Sequence, residues 1–321
     1  MQFTKLGRTG LKVSRLCLGT MTFGWSADEA TSFAIMDAAL DANLTFFDTA
    51  DIYSSWVDGN SGGESEMLIG KWMKEKDRRQ VIIATKTRGR MWEGANGEGL
   101  SRHHIIQSVE DSLRRLQTDY IDLYQTHWYD AETPIEETLS ALDMLVQSGK
   151  VRYVGCSNYP AWRLMKSCWV ADVNNLTRYE CLQPHYSAFN RKDFERELAE
   201  MCIDQEIAVI PYSPLAAGFA TGKYTRENSD ADTTRASSGL IQRLTNDDKA
   251  FDALDVMREI ANDKDVPVAQ IALAWLLNQP SVTSPIVGAR KVEQLTDLLG
   301  AVDVELSEDE LSRLNEATKD F

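Results

Sequence analysis

An acid and a phenol follow a short apolar stretch in the first sixth of the chain. Residues Leu44 to Phe47 combine two aromatic side chains with a β-branched one, which predicts a buried strand. Asp48 comes directly after this strand, and Tyr53 lies five residues further on. A carboxylate at a strand end with a phenol in the following loop is typical of a functional site rather than of a core.

Two further polar side chains stand at comparable positions. Lys86 ends the apolar run that begins at Gln80, and His127 follows the run from Tyr120 to Tyr124. Each of these side chains also has an ordinary explanation: a capping acid, a solvated lysine or a packed histidine. In a parallel barrel, however, the carboxyl ends of the strands meet at one mouth, so we expect them to lie together there with Tyr53.

The four residue types suit proton delivery to a carbonyl oxygen. Hydride that reaches a carbonyl carbon leaves negative charge on the oxygen, which an acid must then protonate. Tyrosine, with a pKa of about 10, needs a nearby cation to become a stronger acid. Lys86 can supply that cation, Asp48 can keep it protonated, and His127 can donate a hydrogen bond to the oxygen. This set needs neither a metal ion nor a nucleophile.

The elements that must position these residues alternate regularly. Apolar runs predict strands at residues 15–19, 44–47, 80–86, 120–124, 151–156, 178–183, 207–212 and 283–287. Stretches of helical spacing separate them, including one behind Ser101 as N-cap and another that spans residues 194–201. Eight such units in 321 residues predict an α/β fold, a closed (β/α)8 TIM barrel.

Two segments lie outside this alternation. Residues 3–6 and 11–13 flank a turn at residues 7–10 and predict an N-terminal β-hairpin that plugs the barrel bottom. The polar stretch from Thr225 to Asp247 predicts a long loop after strand 7, of the kind that forms a functional flap. We see no domain boundary and expect a single domain over residues 1–321. The competing doubly wound sheet requires a Gly-x-Gly-x-x-Gly motif, which the chain lacks.

Composition limits the partners. A formal net charge of −15 argues against nucleic acid, because binding to phosphates needs a basic face. The five cysteines form no Cys-x-x-Cys, which favours free thiols in a reducing compartment. Neither an apolar N-terminal segment nor a run of about 18 apolar residues occurs. We therefore expect a cytoplasmic protein that needs no membrane and acts on a small molecule.

The chain resembles the aldo-keto reductase family over essentially its whole length. Several motifs are loose individually, but their order is highly specific. They are Gly19-Thr20-Met21, Phe47-Asp48-Thr49-Ala50 with Tyr53, Ala84-Thr85-Lys86, the segment from Ser112 to Leu123, His127, the segment from Gly149 to Asn158, Tyr212-Ser213-Pro214-Leu215, and the segment from Ile286 to Arg290.

This resemblance implies roles for the four polar residues and a cofactor. Tyr53 is implied as the general acid and His127 as the group that orients the carbonyl, while Lys86 and Asp48 tune Tyr53. A nicotinamide dinucleotide is implied to lie extended across the barrel mouth. The implied cofactor-binding residues are Thr20, Met21, Asp48, Ser157, Asn158, Gln183, Tyr212, Ser213, Leu215, Gly218, Lys223, Gly288, Ala289, Arg290 and Gln294.

Within that set, the resemblance assigns parts of the cofactor to separate groups. Ser157, Asn158 and Gln183 are implied to hold the carboxamide, and Tyr212 to stack on the nicotinamide. The loop at residues 213–223 is implied to wrap the pyrophosphate, and residues 288–294 to meet the adenosine 2′-phosphate end. A basic pair, Arg290 with Lys291, on so acidic a chain favours NADPH over NADH.

The chain departs from the family pattern at the adenosine end and in one strand. Many NADPH-specific relatives carry an arginine near Gln294 and an asparagine near Leu298, and this chain has neither. That departure weakens the preference for NADPH and the adenine contacts rather than the reaction. Cys156 stands where a small β-branched residue is usual, and we expect only a change in packing.

The substrate is weakly specified by the sequence. Trp25, Trp56, Trp92 and Trp128 lie in predicted loops on the mouth side, where they can line an open pocket for small aldehydes or ketones. A second hypothesis stays open, since some barrels of this family act as redox-responsive NADPH-binding partner subunits of ion channels with little turnover. A third, a metal-dependent barrel hydrolase, ranks last because no His-x-His or His-Glu-x-x-His motif occurs.

Overall fold

The strands alternate with helices from Cys17 onward. The computed structural model describes residues 1–227 and 239–321. In this part of the chain the strands are β1 (Phe3–Lys5), β2 (Lys12–Ser14), β3 (Cys17–Gly19), β4 (Phe46–Asp48), β5 (Ile82–Thr87), β6 (Ile121–Thr126), β7 (Val151–Ser157), β8 (Tyr179–Gln183), β9 (Ala208–Val209) and β10 (Ile286–Gly288).

The helices connect successive strands and cover the outside of the sheet. They are α1 (Glu29–Asp41), α2 (Glu64–Met73), α3 (Arg102–Leu116), α4 (Ile135–Gln147), α5 (Ala161–Asn174), α6 (Lys192–Glu195), α7 (Leu198–Asp204), α8 (Gly239–Thr245), α9 (Asp248–Lys264), α10 (Val268–Leu277), α11 (Val292–Leu299) and α12 (Glu308–Thr318).

β3 to β10 form one parallel sheet in the order β10-β3-β4-β5-β6-β7-β8-β9. Its two end strands are linked by backbone hydrogen bonds: the carbonyl of Val209 accepts from the amide of Thr283 at 2.8 Å. The carbonyl of Pro211 accepts from the amide of Ile286 at 2.9 Å. A mixed α/β fold with such a curled eight-stranded sheet is consistent with the predicted (β/α)8 barrel.

The inner face of the sheet encloses a small apolar cluster that is separate from the outer core. Strand residues from around the sheet and two hairpin residues share it. Its fully or nearly fully buried members are Leu6, Val13, Cys17, Phe46, Ala84, Leu123, Cys181, Ala208, Ile210 and Ile286. Since Leu6 and Val13 come from the hairpin segment, the pairing of β1 with β2 places apolar side chains at the base of the sheet, consistent with a plug.

Gly7, in the turn of this hairpin, has the left-handed φ of +55°. A Cβ there would lie 2.5 Å from the carbonyl oxygen of Glu206, so only glycine fits. The turn therefore approaches the segment before β9 closely, and the amide of Arg8 donates to the carbonyl of Glu206 at 3.0 Å.

The outer core lies between the sheet and the helices. Helix α3 illustrates how the sequence pattern produces it. Ser101 caps the helix by accepting from the amide of His104, as predicted, and Ile105, Val109 and Leu116 are buried on its inner face. The apolar period of 3.6 residues therefore places this helix against the sheet.

The second half of the chain departs from the predicted pattern at two places. The helix predicted through Phe194 and Leu198 is two short helices, because Glu197 leaves helical geometry with φ −144°. The polar stretch predicted as a long loop contains helix α8, since Ile241 and Leu244 bury one face of it. The rest of that predicted flap, residues 228–238, lies outside the described residues.

Over residues 1–227 and 239–321, no helix combines the length and the apolar character needed to cross a bilayer.

The predicted polar residues lie at or near the carboxyl ends of neighbouring strands. Asp48 pairs with Ala84, Lys86 with Gln125, and Ser157 with Gln183 in the strand register.

Candidate active site

The side chain of Lys86 is fully buried and makes three hydrogen bonds. Its Nζ donates to Oδ2 of Asp48 at 2.6 Å, to the carbonyl of Thr49 at 2.8 Å and to the hydroxyl of Tyr53 at 2.8 Å. An ammonium has three hydrogens, so this geometry uses all of its donors. Asp48 and Tyr53 are thus joined through one buried cation.

Two amides complete the surroundings of Asp48. Its Oδ1 accepts from Nε2 of Gln183 at 2.8 Å and from Nε2 of Gln125 at 3.1 Å. Gln125 is a residue of this site that the sequence analysis missed. The sequence places Gln125 on the same strand face as Leu123, but its polar partner is visible only in the structure.

The pKa of Tyr53 lies above its ordinary value of 10. Burial raises it most, and the charge of Lys86 counteracts this only in part. As expected, the charge and the hydrogen bond of Lys86 both lower this pKa, but they do not offset the effect of burial. Burial lowers the pKa of Lys86, but the carboxylate of Asp48 and the hydrogen bonds to Asp48 and Tyr53 outweigh it, so this pKa is also raised. Lys86 is therefore an ammonium and Tyr53 a neutral phenol at neutral pH.

His127 is uncharged in this site. Burial, followed by the positive charges of Lys86 and Arg88, lowers its pKa well below the ordinary value of 6.5. Its ring lies 6.1 Å from the Tyr53 ring and stacks on Trp128 at 3.9 Å. Its buried Nδ1 has no hydrogen-bond partner among the described residues. A neutral imidazole carries one N–H, so His127 can donate a single hydrogen bond to a ligand.

Further around the sheet, polar side chains are bonded to each other. The hydroxyl of Ser157 donates to the carbonyl of Gln183 at 2.8 Å. Nδ2 of Asn158 donates to the carbonyl of His127 at 3.1 Å, and the Tyr212 hydroxyl donates to Oδ1 of Asn158 at 3.0 Å. Asn158 has φ +58°, a left-handed value that asparagine tolerates well. This bonding holds Asn158 and Tyr212 in fixed orientations.

Behind Tyr212, His185 stacks on the phenol ring at 5.1 Å and an interplanar angle of 10°. The sequence analysis did not assign His185 a role. Only the tertiary structure shows that it backs Tyr212.

These groups surround one cavity of about 740 Å³. Most of the predicted site residues line it. Those in its wall are Met21, Trp25, Asp48, Tyr53, Trp56, His127, Trp128, Ser157, Asn158, Gln183, Tyr212, Ser213, Leu215, Gly218, Lys223, Gly288, Arg290 and Gln294. A volume of this size is typical of a site for a small molecule or cofactor.

Four predicted residues lie outside that wall. Lys86 lies beneath it and bonds to Asp48 and Tyr53, which do line the cavity. Thr20 is fully buried and bonds to the carbonyl of Asp48 at 3.0 Å. Ala289 is buried, and its carbonyl accepts from the hydroxyl of Thr22 at 2.8 Å.

Trp92 is the fourth, and the expectation that it borders the substrate site is not met. Its ring stacks on His104 at 4.7 Å, which directs it to helix α3 instead of the cavity. The sequence placed Trp92 in a mouth-side loop but carried no information on which way the ring turns.

The loop after β9 turns sharply at the wall of the cavity. Ser213, Ala216, Ala217 and Gly218 all have positive φ values, between +49° and +100°. Within the loop, the amides of Ala216 and Gly218 donate to the carbonyls of Ser213 and Leu215 at 2.9 and 2.8 Å. Lys223 also lines the cavity, and a Cβ on Gly218 would lie 3.1 Å from its Nζ. The residues present therefore fit a pyrophosphate.

The part of the cavity wall that follows β10 carries both signs of charge. Arg290 lines it, and the backbone amide of Arg290 donates to Oε1 of Gln294 at 2.9 Å. Asp297 and Leu298 line the same end. Asp297 was not predicted from the sequence. Its carboxylate would repel a 2′-phosphate bound here, whereas the guanidinium of Arg290 would attract one.

Chemically, the arrangement offers a neutral phenol and a neutral imidazole at the wall of a cavity, with a buried ammonium behind the phenol. Such a set can protonate an oxygen and stabilise negative charge on it. In the described ranges, no group of three or more His, Cys, Asp and Glu side chains is arranged to hold a metal ion.

Comparison with known proteins agrees with this geometry. The model of the aldo/keto reductase family matches residues 15–319. The chain is 40% identical to the uncharacterized oxidoreductase YrpG of Bacillus subtilis, with 98% of this chain and 95% of the relative covered. It is 35% identical to versiconal hemiacetal acetate reductase of Aspergillus parasiticus, with 98% and 96% covered.

A third relative is named as a channel subunit and not as an oxidoreductase. The chain is 35% identical to a probable voltage-gated potassium channel subunit beta of Oryza sativa, with 95% of this chain and 92% of the relative covered. The family model extends over nearly the whole chain, and the relatives match it from end to end. The chain therefore belongs to the aldo/keto reductase family, whose members include oxidoreductases.

Proposed function

We propose that the protein reduces aldehydes or ketones to alcohols with NADPH and that Tyr53 is the general acid. The observation that carries this proposal is the buried ammonium of Lys86, which bonds to Asp48 at 2.6 Å and to the Tyr53 hydroxyl at 2.8 Å beside the cavity. A phenol that only packs would not need a fully buried cation as its partner, since burying a charge is costly.

In the proposed reaction the chain binds the carbonyl compound with its oxygen toward Tyr53 and His127. A reduced nicotinamide, when bound, supplies the hydride that reduces the carbonyl carbon and is itself oxidised. Tyr53 gives its proton to the carbonyl oxygen, and the N–H of neutral His127 stabilises the charge that develops there. Lys86 then lies next to the phenolate that Tyr53 becomes and stabilises it. Asp48 keeps Lys86 charged and in place.

The remaining wall residues are proposed to hold the cofactor. Ser157, Asn158 and Gln183 would bind the carboxamide, and Tyr212, backed by His185, would stack on the nicotinamide ring. The left-handed loop at residues 213–218 with Lys223 would bind the pyrophosphate. Arg290 would meet the 2′-phosphate, which supports NADPH over NADH.

Three further proposals concern the chain as a whole. The hydrogen bonds between Val209 and Thr283 support a sheet that closes into a full (β/α)8 barrel. The family match from residue 15 to 319 supports a single domain. The five cysteines are free and buried, which supports a cytoplasmic, reducing location.

The test is NADPH oxidation with a panel of aldehydes, measured for the wild type and for Tyr53→Phe. We expect turnover in the wild type and a loss of at least about 100-fold in kcat for the variant, because a general acid contributes this much or more. NADPH binding, followed by quenching of tryptophan fluorescence, should be retained in the variant. Unchanged turnover in Tyr53→Phe would remove the phenol from the mechanism.

A second candidate function is favoured by the similarity to channel beta subunits. It is an NADPH-binding, redox-responsive partner subunit with little turnover. The same assay separates the two: the partner-subunit function predicts tight NADPH binding with negligible oxidation by any aldehyde, in wild type and variant alike. The complete set of Asp48, Tyr53, Lys86 and His127 supports the reductase as the first choice.

A further inference from the structure

Five aromatic rings run side by side along the cavity wall. We call them the ring row: Trp25, Trp56, Tyr53, His127 and Trp128. The Trp25 and Trp56 rings lie 5.7 Å apart at 89°, and Trp56 lies 6.3 Å from Tyr53. Tyr53 lies 6.1 Å from His127, which stacks on Trp128 at 3.9 Å. All five line the cavity, so the proton donor sits in the middle of an aromatic surface.

The two loops that carry Trp25 and Trp56 are tied together. Nδ2 of Asn60 donates to the carbonyls of Gly24 and Ser54, each at 3.1 Å. The hydroxyl of Ser54 donates to the carbonyl of Phe23 at 2.7 Å. These bonds join the loop after β3 to the loop after β4, which holds the two indoles edge to face before a ligand arrives. Such preorganisation reduces the entropy cost of binding.

Packing does not account for the two outer rings. Trp56 is 48% exposed and Trp128 is 41% exposed, although both border the cavity that holds the proton donor. Indoles that served only to fill the interior would be buried to a greater extent. Their open surface is available to a ligand.

The ring row is also uncharged. Among the described residues, the charged side chains of the cavity wall are Asp48, Lys223, Arg290 and Asp297. Asp48 is buried and bonded to Lys86, while the other three belong to the loop after β9 and to the segment after β10. A ligand that lies on the ring row therefore meets π-faces and ring edges, without a charged partner.

We propose that the ring row selects uncharged, planar aryl carbonyl compounds over saturated and over anionic ones. This inference rests on the proposed carbonyl reduction and adds the substrate class to it. Aromatic pairs are favourable beyond the apolar area that they bury, which a saturated ring of the same size cannot reproduce. A carboxylate on the substrate would lose water and gain no cation here.

The test compares two aldehydes of similar size, benzaldehyde and cyclohexanecarbaldehyde. The measured quantity is the ratio of their kcat/KM values with NADPH, for the wild type, Trp56→Leu and Trp25→Leu. Because intrinsic reactivity is the same for every variant, it cancels when the ratios are compared. Trp169→Leu is the matched control, since Trp169 is 60% exposed on α5 and does not line the cavity.

We expect the ratio to fall by roughly 3- to 10-fold in each cavity variant, the range that one aromatic contact accounts for. Trp169→Leu should leave it unchanged, and Trp56→Phe, which keeps a ring, should restore most of it. The wild type should also use 4-carboxybenzaldehyde less efficiently than benzaldehyde.

Each contrary result would overturn a different part of the proposal. Equal ratios in wild type, Trp56→Leu and Trp25→Leu, with normal turnover, would overturn the aryl preference and leave the reductase intact. Efficient use of 4-carboxybenzaldehyde would overturn the exclusion of anions. No turnover of either aldehyde would overturn the proposed function and this inference with it.

Discussion

Nζ of Lys86 lies 2.8 Å from the hydroxyl oxygen of Tyr53, yet the pKa of that phenol stays above 10. Burial outweighs the attraction of the ammonium, so the lysine limits the rise and does not reverse it. The phenol is consequently protonated at neutral pH. In the proposed reaction the ammonium stabilises the phenolate that remains when the proton has left.

The first prediction concerns pH. In the proposed reaction Tyr53 must be protonated, and its raised pKa keeps it so at neutral and weakly alkaline pH. His127, with its pKa well below 6.5, stays neutral in weak acid. We therefore expect kcat/KM for carbonyl reduction to be flat from about pH 7 to 9 and to fall only above about pH 10. A stopped-flow or steady-state pH profile measures this, and an acid limb with a midpoint near 6.5 would show that His127 titrates.

The second prediction concerns the buried pair. Asp48→Asn leaves the ammonium of Lys86 without its counterion, because the two side chains are 2% and 0% exposed. We expect the free energy of unfolding in urea at pH 7 to fall by about 3–5 kcal/mol. The raised pKa of Lys86 means that its stabilising effect is fully present below the unfolded value of 10.5 and is lost as pH rises through the folded value. A measurement at pH 7 therefore records the whole effect.

The control for this prediction is an exposed pair. Asp77 bonds to Arg79, whose side chain is 85% exposed. Asp77→Asn should leave the unfolding midpoint unchanged, because water screens such pairs. Similar losses of unfolding free energy in both variants would mean that burial of the Asp48–Lys86 pair does not determine its contribution to stability.

The third prediction concerns cofactor choice. Arg290 lines the end of the cavity where a 2′-phosphate is proposed to bind. Arg290→Ala should raise KM for NADPH by about 10-fold or more and leave KM for NADH nearly unchanged, since a hydrogen bond between charged groups is worth this much. Steady-state kinetics with both cofactors measures it. Lys291→Ala, an exposed neighbour outside the cavity wall, is the control. Equal losses for both cofactors would place Arg290 elsewhere on the ligand.

The fourth prediction concerns the packing of α2 on α3. Gly→Ala inside a helix normally stabilises by about 0.5–1 kcal/mol. At Gly70 a Cβ would lie 2.2 Å from the carbonyl oxygen of Arg115, so the two helices would have to separate. We expect Gly70→Ala to lower the free energy of unfolding by about 1–3 kcal/mol. Chemical denaturation tests this against Gly10→Ala, where a Cβ meets nothing within 4 Å. A stabilised Gly70→Ala variant would contradict the close approach.

Local patterns predicted the elements well wherever one face of an element is apolar. Ser101 is the cap of α3, and the ends of β4 and β5 lie where the apolar runs stop. The pattern failed between Phe194 and Leu198, which share a helical period although Glu197 breaks the helix between them.

By itself the sequence determined the alternation of strands and helices and the polar residues at the strand ends, because side-chain periodicity and turn chemistry are local properties. Only the tertiary structure decided which side chains bond to Asp48, and it added Gln125 to them. It also decided which aromatic rings face the cavity, and it excluded Trp92 from these. It also decided the net direction of the pKa of Tyr53. These outcomes depend on burial and on distances between residues far apart in the chain, and no local pattern encodes either.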